Sequence, residues 1–124
     1  MKLFSRLLLS AAVTLAFSSA VFAQSAPVKK ADGILVTGAG MTVYTFDKDT
    51  AEGKSACNGG CAALWPAVSA GDAKLAAPYS TITRDDGTKQ VAYKGKPLYT
   101  FVQDKKAGDR NGDNVKDIWH VVKD

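Results

Sequence analysis

The sequence is poor in the side chains that carry most enzymatic chemistry. Its 124 residues include one histidine, His120, and two cysteines, Cys57 and Cys61. No Gly-x-Ser-x-Gly segment accompanies the histidine, which argues against a serine hydrolase. No Cys-x-x-Cys-His segment is present, which excludes covalent haem attachment. We therefore predict that the protein is not an enzyme.

Charge of one sign is equally scarce. Lys and Arg number 16 against 12 Asp and Glu. Two of the cations, Lys2 and Arg6, lie close to the N-terminus, and without them 16 − 2 = 14 cations face 12 anions, a net charge near +2. So weak and evenly mixed a charge does not indicate a nucleic acid or an anionic membrane surface as the partner.

Long hydrophobic runs are absent except for one near the N-terminus. It covers residues 7–17, follows Lys2 and Arg6, and leads into small residues that end at Ala23. This order of charge, apolar core and small-residue exit is typical of a secretory signal peptide. The run is about half of the roughly 20 residues that a transmembrane helix needs. We predict a signal peptide over residues 1–23, cleavage after Ala23, and a periplasmic or secreted product without a stable membrane anchor.

Cleavage there would leave 124 − 23 = 101 residues, enough for one domain. We predict a mobile polar lead over residues 24–30 and a single domain, a monomer, over residues 31–124. In an oxidising compartment a nearby cysteine pair is expected to be oxidised. Export therefore predicts a disulfide between Cys57 and Cys61.

Most of this domain consists of one sequence unit that occurs twice. Tyr44-Thr-Phe46-Asp-Lys-Asp49 aligns with Tyr99-Thr-Phe101-Val-Gln-Asp104 at an offset of 99 − 44 = 55 residues. Two glycine pairs keep this offset, and the tryptophans follow at 119 − 65 = 54. Internal repetition of this kind predicts a duplicated structural unit.

Short alternating runs between Gly- and Asp-rich turns predict a mainly β fold. The predicted strands cover residues 34–37, 42–46, 81–84, 89–93, 98–101 and 118–122. Residues 61–65, beside the cysteine pair, predict a short helical turn that ends at Pro66. The expected architecture is a small antiparallel β domain built from two pseudo-repeats.

The repeated motif has a structural interpretation. Along a strand, Tyr44 and Phe46 point to one side, as do Tyr99 and Phe101. We interpret these rings as a shared core; a ligand-stacking platform is the alternative. The aspartates of the motif, Asp49 and Asp104, fit an Asx-type turn in which each carboxylate accepts backbone N–H bonds as the strand ends.

On these residues the chain resembles a bacterial family of secreted-repeat proteins of unknown function, a lipoprotein family with a Tyr-x-aromatic-x-x-Asp motif. The family's cysteine segment corresponds to Cys57-Asn-Gly-Gly-Cys61-Ala-Ala-Leu-Trp65-Pro66, and its closing segment to Trp119-His120-Val121-Val122. The resemblance implies an exported module and supplies no established reaction. Many relatives carry a lipobox cysteine that is absent here, so membrane tethering is not carried over.

Two side-chain sets could bind metal. The first set has the ligand spacing of a calcium-binding loop, with a backbone carbonyl at position 7. Its side chains at positions 1, 3, 5 and 9 are Asp109, Asn111, Asp113 and Asp117. Position 12 is His120 rather than Glu, and the turn glycine stands at position 4 rather than 6. Cys57, Cys61 and His120, with Met41, could instead hold copper, because thiolate and imidazole suit copper ions.

The sequence therefore predicts an exported, non-enzymatic module that acts by binding an unknown ligand or protein, without a cofactor. The alternative is a periplasmic metal-binding protein, with calcium in the Asp109–Asp117 loop or copper at the cysteine–histidine set. No feature of the sequence names the ligand.

Overall fold

Antiparallel strands make up most of the regular structure in residues 27–123, the part of the chain that the computed structural model describes. The elements are β1 (Val28–Ala31), β2 (Ile34–Thr37), β3 (Tyr44–Phe46), α1 (Gly60–Leu64), β4 (Tyr79–Thr83), β5 (Lys89–Tyr93), β6 (Lys96–Pro97), a short 3-10 segment (Val115–Asp117) and β7 (Trp119–Val121). The predicted mainly β fold with one helical turn near the cysteines is confirmed. The predicted signal peptide and its cleavage site lie outside the described residues.

The strands form three small antiparallel sheets that single bridges join. β1 pairs with β2, β3 pairs with β7, and β4, β5 and β6 lie side by side. Tyr99 forms bridges to both Tyr44 and Ala67, and Ser69 forms one to Gln90. These bridges connect the ladders of the two repeats into one structure.

The two repeats are related by a pseudo-twofold axis. In the first, Val36 of β2 faces Thr42; in the second, Ala92 of β5 faces Pro97. At the axis, Tyr44 N donates to Tyr99 O at 2.8 Å and Tyr99 N donates to Tyr44 O at 2.9 Å. Such a reciprocal pair is the pattern of an antiparallel ladder. The repeated tyrosines therefore meet each other at the centre of the domain.

The domain begins earlier than residue 31, which corrects the predicted lead over residues 24–30. Val28 is only 3% exposed and is part of β1. Asp32 and Gly33 join β1 to β2 with φ of 51° and 81°. Two successive positive φ values fit the tight hairpin turn for which Asp-Gly is the preferred pair. The hairpin therefore places β1, which begins at Val28, inside the predicted lead.

The segment over residues 98–101 also differs from its prediction as a strand. β6 covers only Lys96–Pro97, and Tyr99 is held by isolated bridges. The alternation itself is correct, because Leu98 and Tyr99 are buried in two different clusters. This segment forms no long ladder, because Tyr99 bridges to two different segments, at Tyr44 and at Ala67.

Strand alternation divides the core into two clusters. Leu35 of β2 packs into an aliphatic cluster, while its neighbours Ile34 and Val36 pack into an aromatic cluster. The buried members of the aliphatic cluster are Val28, Leu35, Val43, Val68, Ala70, Val91, Tyr93, Leu98 and Val122. The buried members of the aromatic cluster are Ile34, Val36, Tyr44, Cys57, Trp65, Tyr99, Trp119 and Val121. Both repeats contribute to both clusters.

A disulfide fixes the start of α1 to the aromatic cluster. Cys57 and Cys61 are bonded, with a Cα–Cα distance of 5.2 Å, and Cys57 has no exposed surface. The prediction of a disulfide is confirmed. The helix ends at Leu64, two residues before Pro66. This short element brings Trp65 against the tyrosine of its own repeat.

Gly112 occupies a place where a side chain has no room. An added Cβ would lie 2.7 Å from Trp65 Cη2 and 2.9 Å from Tyr44 Cζ, closer than the optimal carbon separation of about 3.5–4.0 Å. We expect G112A to lower the free energy of unfolding by about 1–3 kcal/mol, because the two rings would have to move. Urea denaturation measures this change.

The matched control is G60A. A Cβ on Gly60 would meet nothing within 4 Å, and alanine favours a helix over glycine by up to about 1 kcal/mol. G60A should therefore keep or raise the stability of the wild type. Equal destabilisation by both substitutions would contradict the packing argument.

Candidate binding cleft beside the aromatic cluster

Two tyrosine hydroxyls reach from one repeat to the other. Tyr44 Oη donates to Asp104 Oδ2 at 2.6 Å, and Tyr99 Oη donates to Asp49 Oδ2 at 2.6 Å. Both tyrosines have no exposed surface, so each hydroxyl needs a partner to offset the loss of water. The tyrosine and aspartate of the repeated motif are thus matched between the repeats rather than within one.

Each carboxylate also accepts a backbone N–H seven residues further along its own repeat. Asp49 Oδ1 accepts from Ala56 N at 2.6 Å, and Asp104 Oδ1 accepts from Asn111 N at 2.9 Å. The predicted Asx-type turn is wrong, because the N–H groups that the carboxylates accept from lie seven residues away rather than in the adjacent turn. The prediction that the donors are backbone N–H groups is correct. The other oxygen of each carboxylate is bound to the opposite repeat, which no local pattern indicates.

Burial controls the protonation of these groups. Desolvation, reinforced by the hydrogen bond to Asp104, raises the pKa of Tyr44 well above its usual 10.0. Desolvation and the bond to Asp49 raise the pKa of Tyr99 in the same way. Burial also raises the pKa of Asp49 above its usual value, against the opposing effect of the bonds from Tyr99 and Ala56. The tyrosines therefore remain donors at neutral pH.

Four rings stack face to face beside these tyrosines. The centroids of Trp65 and Trp119 are 3.8 Å apart with a 2° angle between the planes. Phe46 stacks on the other face of Trp119, and Phe101 on the other face of Trp65, both at 4.1 Å. Each phenylalanine thus lies on the indole of the opposite repeat. The shared core of paired rings that the sequence predicts is observed.

A cleft of about 330 Å³ opens beside this ring stack. Gln103 and Lys116 supply its polar side chains, and Leu64, 52% exposed, lines it as well. Its apolar side chains match between the repeats by their offset in the sequence, which is 55 residues for Phe46 with Phe101 and 54 for Trp65 with Trp119, Cys61 with Val115, and Leu64 with Ile118. The cleft therefore straddles the pseudo-twofold axis.

A buried polar network supports one side of the cluster. Arg84 is 7% exposed and donates to Ser55 Oγ at 2.9 Å, Gln90 Oε1 at 2.7 Å and Cys57 O at 2.6 Å. Ser55 in turn bonds to Tyr99 Oη at 2.6 Å. Sequence reasoning missed this network, because Arg84 precedes Asp85-Asp86-Gly87 and resembles an ordinary turn residue.

The predicted calcium ligands are engaged separately. Asp109 Oδ2 accepts from the backbone of Lys105 and Lys106, and Asp113 Oδ1 accepts from Val121 N at 3.1 Å. Asn111 Nδ2 donates to Gln103 O at 3.3 Å, and Asp117 is exposed. Within residues 27–123, no three His, Cys, Asp or Glu side chains are grouped to hold a metal ion. The calcium hypothesis stays a prediction from the sequence.

The predicted copper ligands are also not brought together as free donors. Cys57 and Cys61 are bonded to each other. His120 lies on β7 between Trp119 and Val121, which face the aromatic cluster, so its imidazole is on the opposite side of the strand. It pairs through Nε2 with Asp47 Oδ2 at 2.8 Å, and Nδ1 lies 3.2 Å from Asn114 Oδ1.

The fold and the cleft define a class: a duplicated antiparallel β domain with an apolar cleft on its pseudo-twofold axis. A family model described as a secreted repeat of unknown function matches the chain twice, at residues 26–69 and 80–123. The chain belongs to this family and is an exported protein, as the resemblance implied. Comparisons with curated proteins and with solved structures gave no significant match. None of the helices in residues 27–123 is long and apolar enough to cross a membrane.

The two buried tyrosines predict how stability depends on alkaline pH. Their pKa values are raised in the folded state, so the stability they contribute is fully present below the unfolded value of about 10 and is lost as the pH rises above it. We expect the free energy of unfolding to fall more steeply above pH 10 in the wild type than in the Y44F/Y99F variant. Denaturant titrations from pH 8 to 12 measure both slopes; equal slopes would contradict the burial argument.

The bonds between repeats predict a selective coupling of mutations. In a double-mutant cycle, Y44F and D104N should couple by about 0.5–3 kcal/mol, because the two side chains are bonded. Y44F and D49N form the control pair, since the carboxylate of Asp49 binds Tyr99 instead. This control should be additive within about 0.5 kcal/mol. Stronger coupling in the control cycle would mean that the tyrosines pair within their own repeats.

Proposed function

We propose that this protein is an exported, non-enzymatic binding module whose site is the cleft on the pseudo-twofold axis. The observation that carries the proposal is the lining: apolar side chains of both repeats enclose about 330 Å³ beside the ring stack. Small-molecule sites are typically apolar clefts of roughly 300–1,000 Å³ with a few polar groups. A volume at the lower end of that range indicates a small ligand.

The exposed side chains support the same assignment. Leu64 and Val102 are the large hydrophobic residues that stay exposed in residues 27–123, at 52% and 37%. They are neighbours, because Val102 N donates to Leu64 O at 3.1 Å. Only Leu64 is part of the cleft lining. An apolar side chain kept in water at the mouth of an apolar cleft favours a binding role over a purely structural one.

The metal-binding alternative has less support from the geometry. The carboxylates of Asp109 and Asp113 already accept backbone N–H bonds, and both cysteine sulfurs are in a disulfide. A metal ion would therefore have to replace several existing bonds. The cleft requires no such rearrangement, and the cysteine pair serves it by fixing Cys61 in its wall.

The site can be tested with 2-naphthylmethanol, a neutral planar probe, in NMR titrations of the mature protein. We expect saturable shifts of both indole Nε1–H signals, since Trp65 and Trp119 line the cleft. L64S should weaken binding roughly fivefold, through loss of about 1 kcal/mol of apolar contact.

V102S is the matched control, because it removes the other exposed large apolar side chain of the described residues, which is not in the lining. It should bind the probe as the wild type does. The proposal fails if the wild type shows no saturable shifts, or if V102S weakens binding as much as L64S.

A further inference from the structure

The geometry points to a planar aromatic anion as the ligand of the cleft, an inference that rests on the proposed function and names its ligand class. The cleft combines an apolar wall drawn from both repeats with one cation among its lining residues, Lys116. Three properties of the described residues lead to this class: the orientation of the indoles, the duplication of the lining, and the position of the polar groups.

The indoles can offer only their edges to a ligand. Trp65 is covered by Trp119 on one face and by Phe101 on the other, while Trp119 is covered by Trp65 and Phe46. The edge of an aromatic ring is the positive part of its quadrupole, and the face is the negative part. Ring edges therefore favour the electron-rich face of another aromatic ring over a cation.

The paired lining favours a flat ligand with two similar apolar flanks. In the lining, Cys61 of the first repeat matches Val115 of the second at an offset of 115 − 61 = 54 residues, and Leu64 matches Ile118 at the same offset. A ligand in the cleft therefore meets apolar side chains of both repeats. An aromatic ring carries apolar surface on both of its sides, so it can contact both repeats at once.

The two polar side chains of the lining both come from the second repeat. Lys116 is the only charged side chain in the lining, and it is exposed without a hydrogen bond or ion pair to another described residue. An ammonium group has donors and no acceptor. Gln103, the other polar side chain of the lining, can also donate. A cation and an amide donor in an otherwise apolar, aromatic-lined cleft select a carboxylate or a similar anionic acceptor on the ring.

Three probes with the same ring separate charge from shape: 2-naphthoate, 2-naphthylmethanol and 2-naphthylmethylammonium. Titrations at about 0.15 M salt, where the Debye length is about 8 Å, suppress effects of distant charges. We expect the wild type to bind 2-naphthoate about two- to fivefold more tightly than the neutral probe, the range of a solvent-exposed ion pair. The cationic probe should bind most weakly.

K116M should remove the preference for 2-naphthoate over the neutral probe, measured as the ratio of the two dissociation constants within each variant. K106M is the matched control, because it removes the same charge from an exposed lysine outside the cleft lining, and it should keep the preference. Loss of the preference in both variants, or no preference in the wild type, would overturn the inference while the proposed cleft stands. Absence of binding by all three probes would overturn the cleft and the inference together.

Discussion

The exchange of hydroxyl–carboxylate bonds between the repeats is the constraint on which the rest of the domain depends. Tyr44 and Tyr99 meet through their backbones at the axis, and each side chain then reaches an aspartate of the other repeat. A buried hydroxyl without a partner costs about 1–3 kcal/mol. One repeat alone would leave both its tyrosine and its aspartate without these partners. Neither repeat can make these bonds without the other, and a cleft lined by both repeats requires both.

The stacked rings of the aromatic cluster also contact across the repeats. Phe46 of the first repeat lies on Trp119 of the second, and Phe101 of the second lies on Trp65 of the first. The stack is continuous because the indoles also lie on each other. Gly112 makes this arrangement possible by leaving space for Trp65 and Tyr44. The hydrogen bonds and the ring stacking thus favour the same pairing of the two repeats. Such agreement between polar satisfaction and core packing is expected of a sequence that specifies one fold.

Much of the fold was predictable because its signals are local. Short runs bounded by Gly- and Asp-rich turns predicted β2 and β5, and the tyrosine–phenylalanine spacing predicted rings on one side of a strand. The start of β1 was missed, because Lys29 and Lys30 gave the segment a polar composition although Val28 is buried. The partners of Asp49 and Asp104 were not predictable from spacing, since the pairing between repeats is a three-dimensional property. A local Asx turn satisfies the same sequence pattern.

The cleft itself was not predictable, because it arises where the two repeats stop being equivalent. In the first repeat the segment before the tryptophan forms α1 and is tied down by the disulfide. In the second, the corresponding segment is a short 3-10 turn in which Lys116 has φ of +50°. The same places in the two repeats thus carry Leu64 on a helix and Ile118 after a turn. Two different backbones around an otherwise symmetric ring stack cannot close over it equally, and the difference leaves an apolar space with a cation on the side of the second repeat.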